Sequence, residues 1–98
     1  MTITKKLENT TLTLSVSGRL DTTTAVELEN ALNESLGGVT SLILDLSELA
    51  YMSSAGLRVV LKAQKTMNAQ GEMKVVNVNE VIMEVFEITG FADILTIE

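Results

Sequence analysis

Leu42-Ile-Leu-Asp-Leu-Ser-Glu-Leu-Ala-Tyr-Met-Ser-Ser-Ala-Gly-Leu57 is the stretch on which the reading of the chain turns. It opens within Ser41 to Leu46, a nearly continuous apolar run that suits a buried central strand. A short loop follows, and then a helix beginning at Ser53 or Ser54. A serine at a helix start accepts hydrogen bonds from free backbone N–H groups. Those same groups, with the helix dipole, tolerate a phosphate. Gly56 inside the helix costs about 1 kcal/mol relative to Ala, so it requires a reason. Close packing against the sheet is one, close approach by a partner the other. Ala55 and Gly56 lack bulk and leave the hydroxyls open.

Toward the amino terminus the hydrophobic period changes. Thr11 to Ser17 alternates strictly, with Leu12, Leu14 and Val16 on one face and Thr11, Thr13, Ser15 and Ser17 on the other. That pattern is a half-buried strand with a wetter second face. Thr2 to Leu7 is read as its hairpin partner through a turn at Glu8 to Thr10. A helix follows in which Thr24 and Glu27 form a capping box. Ala25, Leu28, Leu32 and Leu36 recur at helical spacing, and Gly37-Gly38 ends the pattern.

Toward the carboxyl terminus, the helix begun at Ser53 or Ser54 turns Leu57, Val60, Leu61 and Met67 to the core and ends near Gly71. Lys74 to Val78 reads as a strand. Asn79 caps a third helix carrying Val81, Ile82, Val85 and Phe86, stopped by Gly90, and Ile94 to Ile97 reads as a terminal strand. The predicted order is β-β-α-β-α-β-α-β over residues 1–98. This is an α/β single domain with a mixed, mostly parallel sheet begun by one antiparallel hairpin. Right-handed crossovers place its helices mainly on one face.

Composition narrows the function. The chain has 98 residues and no Cys or His, which removes disulfides, thiolate nucleophiles, His-dependent triads and ordinary zinc sites. No Gly-rich phosphate loop is present, so the reading is a non-enzyme without metal or cofactor. An enzyme using Asp21 and Asp45 is the remote alternative. Asp45, ending the central strand, reads as a loop anchor. The net charge of −6 with scattered basic residues argues against nucleic acid. The terminus MTITKKLENT lacks a signal-peptide run, and no apolar stretch is long enough to span a bilayer. The expected location is the cytoplasm, away from membranes.

The segment Asp45-Leu-Ser-Glu-Leu-Ala-Tyr-Met-Ser-Ser-Ala-Gly-Leu-Arg58 resembles the signature of STAS domains, closely that of bacterial anti-sigma factor antagonists. Gly18-Arg-Leu-Asp21 resembles the family's G-x-L-D loop, and Thr89-Gly-Phe91 its closing helix-to-strand turn. The resemblance covers the whole chain. It implies that a serine at the start of the second helix is phosphorylated by a partner that is both an anti-sigma factor and a serine kinase. A serine phosphatase would restore the free form.

Aligned on Met52 and Gly56-Leu57, the acceptor falls on Ser54. The family's preceding Asp is here Ser53, which makes Ser53 the alternative acceptor. Plain N-capping is the other role open to both serines. Asp21, Thr22, Met52, Ser53, Ala55, Gly56 and Arg58 are the implied partner-contact positions. Among them Asp21 has helix capping as its alternative role, Met52 core filling, and Thr22, like Thr23, a plain turn position. Arg58, four residues after Ser54, is placed to pair with a phosphate. A different role for the same resemblance is a constitutive docking subunit of a larger assembly, such as a lipid transporter or a stress-signalling scaffold.

Overall fold

The computed structural model describes residues 1–98. Strand β1 (Thr2–Glu8) and β2 (Thr11–Leu20) form an antiparallel hairpin through Asn9, which takes the left-handed conformation that asparagine tolerates. Then come α1 (Thr24–Ser35), β3 (Ser41–Asp45), β4 (Leu49–Met52), α2 (Ser54–Gln70), β5 (Glu72–Val76) and α3 (Glu80–Thr89), with a 3₁₀ turn at Phe91–Asp93. The sheet has five strands in the order β1-β2-β3-β5, and β4 also pairs with β2. Only β1 runs antiparallel to its neighbour.

Alternation in the strands sets the layers. Parallel register aligns Leu12 with Leu42 and Met73, and Leu14 with Leu44 and Val75, in two apolar rows across the sheet. All six side chains are buried. They belong to one core of 24 buried residues, to which α1 contributes Ala25, Leu28 and Leu32, its C-cap Leu36, and α2 Leu57, Val60 and Met67. The opposite face carries Thr11, Thr13, Ser15 and Ser17, all half-exposed, as the strand pattern predicts. Ile43 is also half-exposed on that face. The central strand is therefore buried on one side only, which corrects the expectation from its continuous apolar run.

Four other expectations change. Ile94 to Ile97 is not a strand: the chain winds through the 3₁₀ turn, and only Ile97 bridges to Val75. The fifth strand is β4 instead, where a loop was expected. Val81 and Leu61 do not face the core; Val81 is 61% exposed and Leu61 half-buried. The Thr24–Glu27 capping box does not form, because the Asp21 carboxylate caps α1.

Candidate functional site

The site arises because β2 is twice the length of β3. Beyond Ser15 the edge of β2 that paired with β3 is free, and β4 takes it up from Gly18 onward, with a bulge between Gly18 and Arg19. The intervening turn is held by Asp45, whose Oδ1 accepts from the Ser47 N–H at 3.0 Å and from Asn77 Nδ2 at 3.2 Å. The Ser47 backbone bond is the main reason that the Asp45 carboxyl is held below its ordinary pKa, with Asn77 adding to it. Asp45 is thus the loop anchor that its position suggested.

Pairing Leu20 with Met52 ends β2 and β4 side by side, so the starts of α1 and α2 emerge together. The Ser53 N–H donates to the Leu20 carbonyl at 2.8 Å and ties the two ends. Asp21 lies one residue beyond. Its Oδ1 accepts from the N–H groups of Thr23 and Thr24, each at 3.0 Å. The Thr24 hydroxyl accepts from the Asp21 N–H and donates to the Arg19 carbonyl. The Thr24 backbone bond dominates the lowering of the Asp21 pKa; the Thr24 hydroxyl, the Thr23 N–H and the Arg19 charge reinforce it.

The two serines divide the roles that the sequence left open. Ser53 is half-buried and is the N-cap of α2; its hydroxyl accepts from the Gly56 N–H at 3.3 Å. Ser54 is the first helical residue and is exposed. Its hydroxyl takes no part in the cap. The first turn of α2 carries no acidic residue, so no side-chain charge there opposes an anion.

Beneath the serines, Gly56 is buried. A Cβ built on it would lie 2.7 Å from Leu20 Cγ, 2.8 Å from Leu20 Cδ2 and 3.2 Å from Met52 Cγ. Close packing is the reason for this glycine. Met52 is only 5% exposed. Both are buried, in the core-filling and close-packing roles that stood as their alternatives to partner contact. They seat the helix mouth from below.

Of the remaining predicted contact residues, Thr22, Ala55 and Arg58 come together in one groove, and Asp21 and Ser53 do not line it. Thr22, Ala25 and Val26 on the α1 side and Ala55, Arg58 and Val59 on α2 line an open groove of about 230 Å³ beside Ser54. Lys62 closes its far end through an ion pair with Glu29 at 3.0 Å. Asp21 is half-buried and committed to capping. Sequence reasoning missed Val26, which is 58% exposed at the groove. Its signal was present: an apolar residue on the polar side of the Ala25-Leu28-Leu32 pattern. It also missed the Arg19 guanidinium stacked 4.2 Å over the Tyr51 ring, where the register pairs those two residues.

Comparison with known proteins agrees with this architecture. The STAS domain family model matches residues 2–98. BtrV of Bordetella bronchiseptica, which carries an anti-sigma factor antagonist name, is 38% identical over 84 residues, 84% of this chain and 72% of that protein. The anti-sigma-B factor antagonist of Listeria monocytogenes is 32% identical over 97 residues, covering 96% of this chain and 84% of the relative. Among solved structures, an anti-sigma factor antagonist from Mycobacterium paratuberculosis superposes with a TM-score of 0.89 at 23% identity, covering 98% and 83% of the two chains. SpoIIAA in its unphosphorylated form superposes at 0.79 with 20% identity, covering 99% and 87%. At those identities the structural likeness speaks to the fold alone, and the family rests on the sequence matches. The chain is a member of the STAS domain family, on the side of it occupied by anti-sigma factor antagonists.

Proposed function

We propose that this protein binds an anti-sigma factor that is also a serine kinase, and that phosphorylation of Ser54 by that kinase releases it. Sigma-factor-dependent transcription would then follow the phosphorylation state, and a serine phosphatase would reset it. The protein acts in the cytoplasm by binding, without chemistry of its own.

The observation that carries this reading is the division of labour at the α2 mouth. Ser53 caps the helix, and Ser54 next to it is exposed with its hydroxyl uncommitted. A kinase can reach Ser54 without breaking the cap. The groove beside it supplies a docking surface with an apolar floor, in which Arg58 is the exposed cation nearest in sequence to Ser54. Phosphorylation adds about −1.5 to −2 charges to a molecule already at −6. Burying that charge against a partner that had accepted a neutral hydroxyl is unfavourable. A tenfold loss of affinity corresponds to only about 1.4 kcal/mol. SpoIIAA is known as a solved structure in both unphosphorylated and phosphorylated forms, which supports the same reading for this relative.

The test is direct. The chain is incubated with the candidate kinase and ATP, and the phosphate is located by fragmentation mass spectrometry. One phosphate on Ser54, lost in Ser54→Ala and kept in Ser53→Ala, supports the proposal. A phosphate on Ser53 moves the switch to the cap. No phosphate from any anti-sigma kinase of the source cell leaves only a constitutive docking domain.

A further inference from the structure

Helix α3 contributes no residue to the groove just described. Helices α1 and α2 pack on one another, whereas α3 packs against β4 and the 3₁₀ turn and against neither of the other helices to any extent. Its inner side is fixed by Ile82 and Phe86, both fully buried. Its outer side is unusual. Val81 is 61% exposed, Ile88 is 77% exposed, and Val85 between them is half-buried. The spacing i, i+4, i+7 gathers these three into one stripe along the helix.

A second stripe runs beside it. Glu80, Glu84 and Glu87 follow the same spacing, one position before each apolar residue, and all three are exposed. The three ion pairs of the fold are Lys6–Glu8, Lys62–Glu29 and Lys74–Glu98, and none involves these glutamates. No Lys or Arg follows Lys74, while Glu80, Glu84, Glu87, Asp93 and Glu98 do. The negative charge of the chain is concentrated here, away from Arg58, Lys62 and Lys65 on α2.

From this pairing of an apolar and an acidic stripe on one solitary helix, we infer that α3 is a second docking surface, whose partner is an amphipathic helix of another protein with a basic row beside its apolar row. The charge selects the occupant. A second copy packed antiparallel across a twofold axis would bring the same acidic stripe against itself; packed parallel, it would set that stripe against the buried Ile82–Phe86 flank, which offers no cation, and an anionic membrane surface would repel it. A basic helix satisfies both stripes at once, in the manner of helix-to-helix recognition read through i, i+4, i+7 anchors. Because neither stripe lines the groove beside Ser54, this contact does not depend on the state of Ser54.

The probe is a synthetic helical peptide with Leu at i, i+4 and i+7 and Lys alongside, compared with a twin carrying Glu for Lys. Each is titrated into the isotope-labelled chain and followed by amide NMR shifts. The Lys peptide should shift α3, and Val81→Ser with Ile88→Ser should weaken it by about tenfold or more. Glu84→Lys with Glu87→Lys should transfer the preference to the Glu twin, and Ser54→Asp should leave the affinity within about twofold. These positions are exposed, and an unchanged urea midpoint confirms the fold of each variant. Shifts centred on the α1–α2 groove overturn the inference, as does an affinity indifferent to the serine variants. So does concentration-dependent dimerisation, measured by sedimentation, that the same serine variants abolish, since the occupant is then a second copy.

Discussion

Gly56 on α2 and Leu20 at the end of β2 approach so closely that a methyl group on the glycine would lie 2.7 Å from Leu20 Cγ. Leu20 is fully buried, so it yields only by displacing other core side chains. This contact, with the Ser53 N–H bonded to the Leu20 carbonyl, sets where the α2 mouth sits relative to the sheet.

Gly56→Ala should therefore destabilise, although alanine is the better helix former by about 1 kcal/mol. Overpacking of a filled core costs typically about 1–3 kcal/mol, and here it outweighs the propensity gain. A lowered urea midpoint is expected. Leu20→Ala combined with Gly56→Ala should lose less than the sum of the two single changes. Strict additivity would show that the two residues are not in contact.

The serines should separate by stability alone. Ser53→Ala removes the α2 cap and should cost about 1 kcal/mol, within the 0.5–2 usual for such changes. Ser54→Ala removes an exposed, uncommitted hydroxyl and should stay within about 0.5 kcal/mol of the parent. Denaturant unfolding of the two variants measures both. The reverse order would make Ser54 the structural serine.

Asp21 and Asp45 are both held below the ordinary carboxylate pKa, chiefly by backbone N–H groups of Thr24 and Ser47 respectively. The stability linked to them is present above the unfolded value of about 3.9. It is lost as pH falls from there through the lower folded values. Unfolding midpoints at pH 6 and pH 3 should differ less in the Asp21→Asn, Asp45→Asn double variant than in the parent. An equal acid loss in both would assign it to other groups.

Much of this was legible in the sequence, and the omissions have physical causes. The alternation of Thr11 to Ser17 and the helical spacing of Ala25, Leu28 and Leu32 are local patterns, and both elements stand where those patterns put them. Asn79 caps α3 as expected, accepting from the Ile82 N–H. Strand β4 escaped because its four residues have no alternation, and it exists only because β2 overhangs β3. Ile94 to Ile97 has strand composition, but Gly90 turns the chain into a 3₁₀ turn and leaves one bridge.

At the site, the family pattern identified the α2 mouth, and a hydroxyl at its start was visible in the sequence. Which of Ser53 and Ser54 would cap was not, because that depends on the tie from Ser53 to Leu20 across the sheet. Burial of Met52 and Gly56 is likewise a consequence of β2–β4 register, which no local signal encodes.

A charge placed at Ser54 should turn an accepting surface into a rejecting one. The most direct measurement is the affinity of the parent, Ser54→Ala and Ser54→Asp for the cognate anti-sigma factor, by titration calorimetry at one fixed salt concentration. Ser54→Ala should bind like the parent and Ser54→Asp at least about tenfold more weakly, a loss of about 1.4 kcal/mol. Equal affinity for the Ala and Asp variants would contradict it.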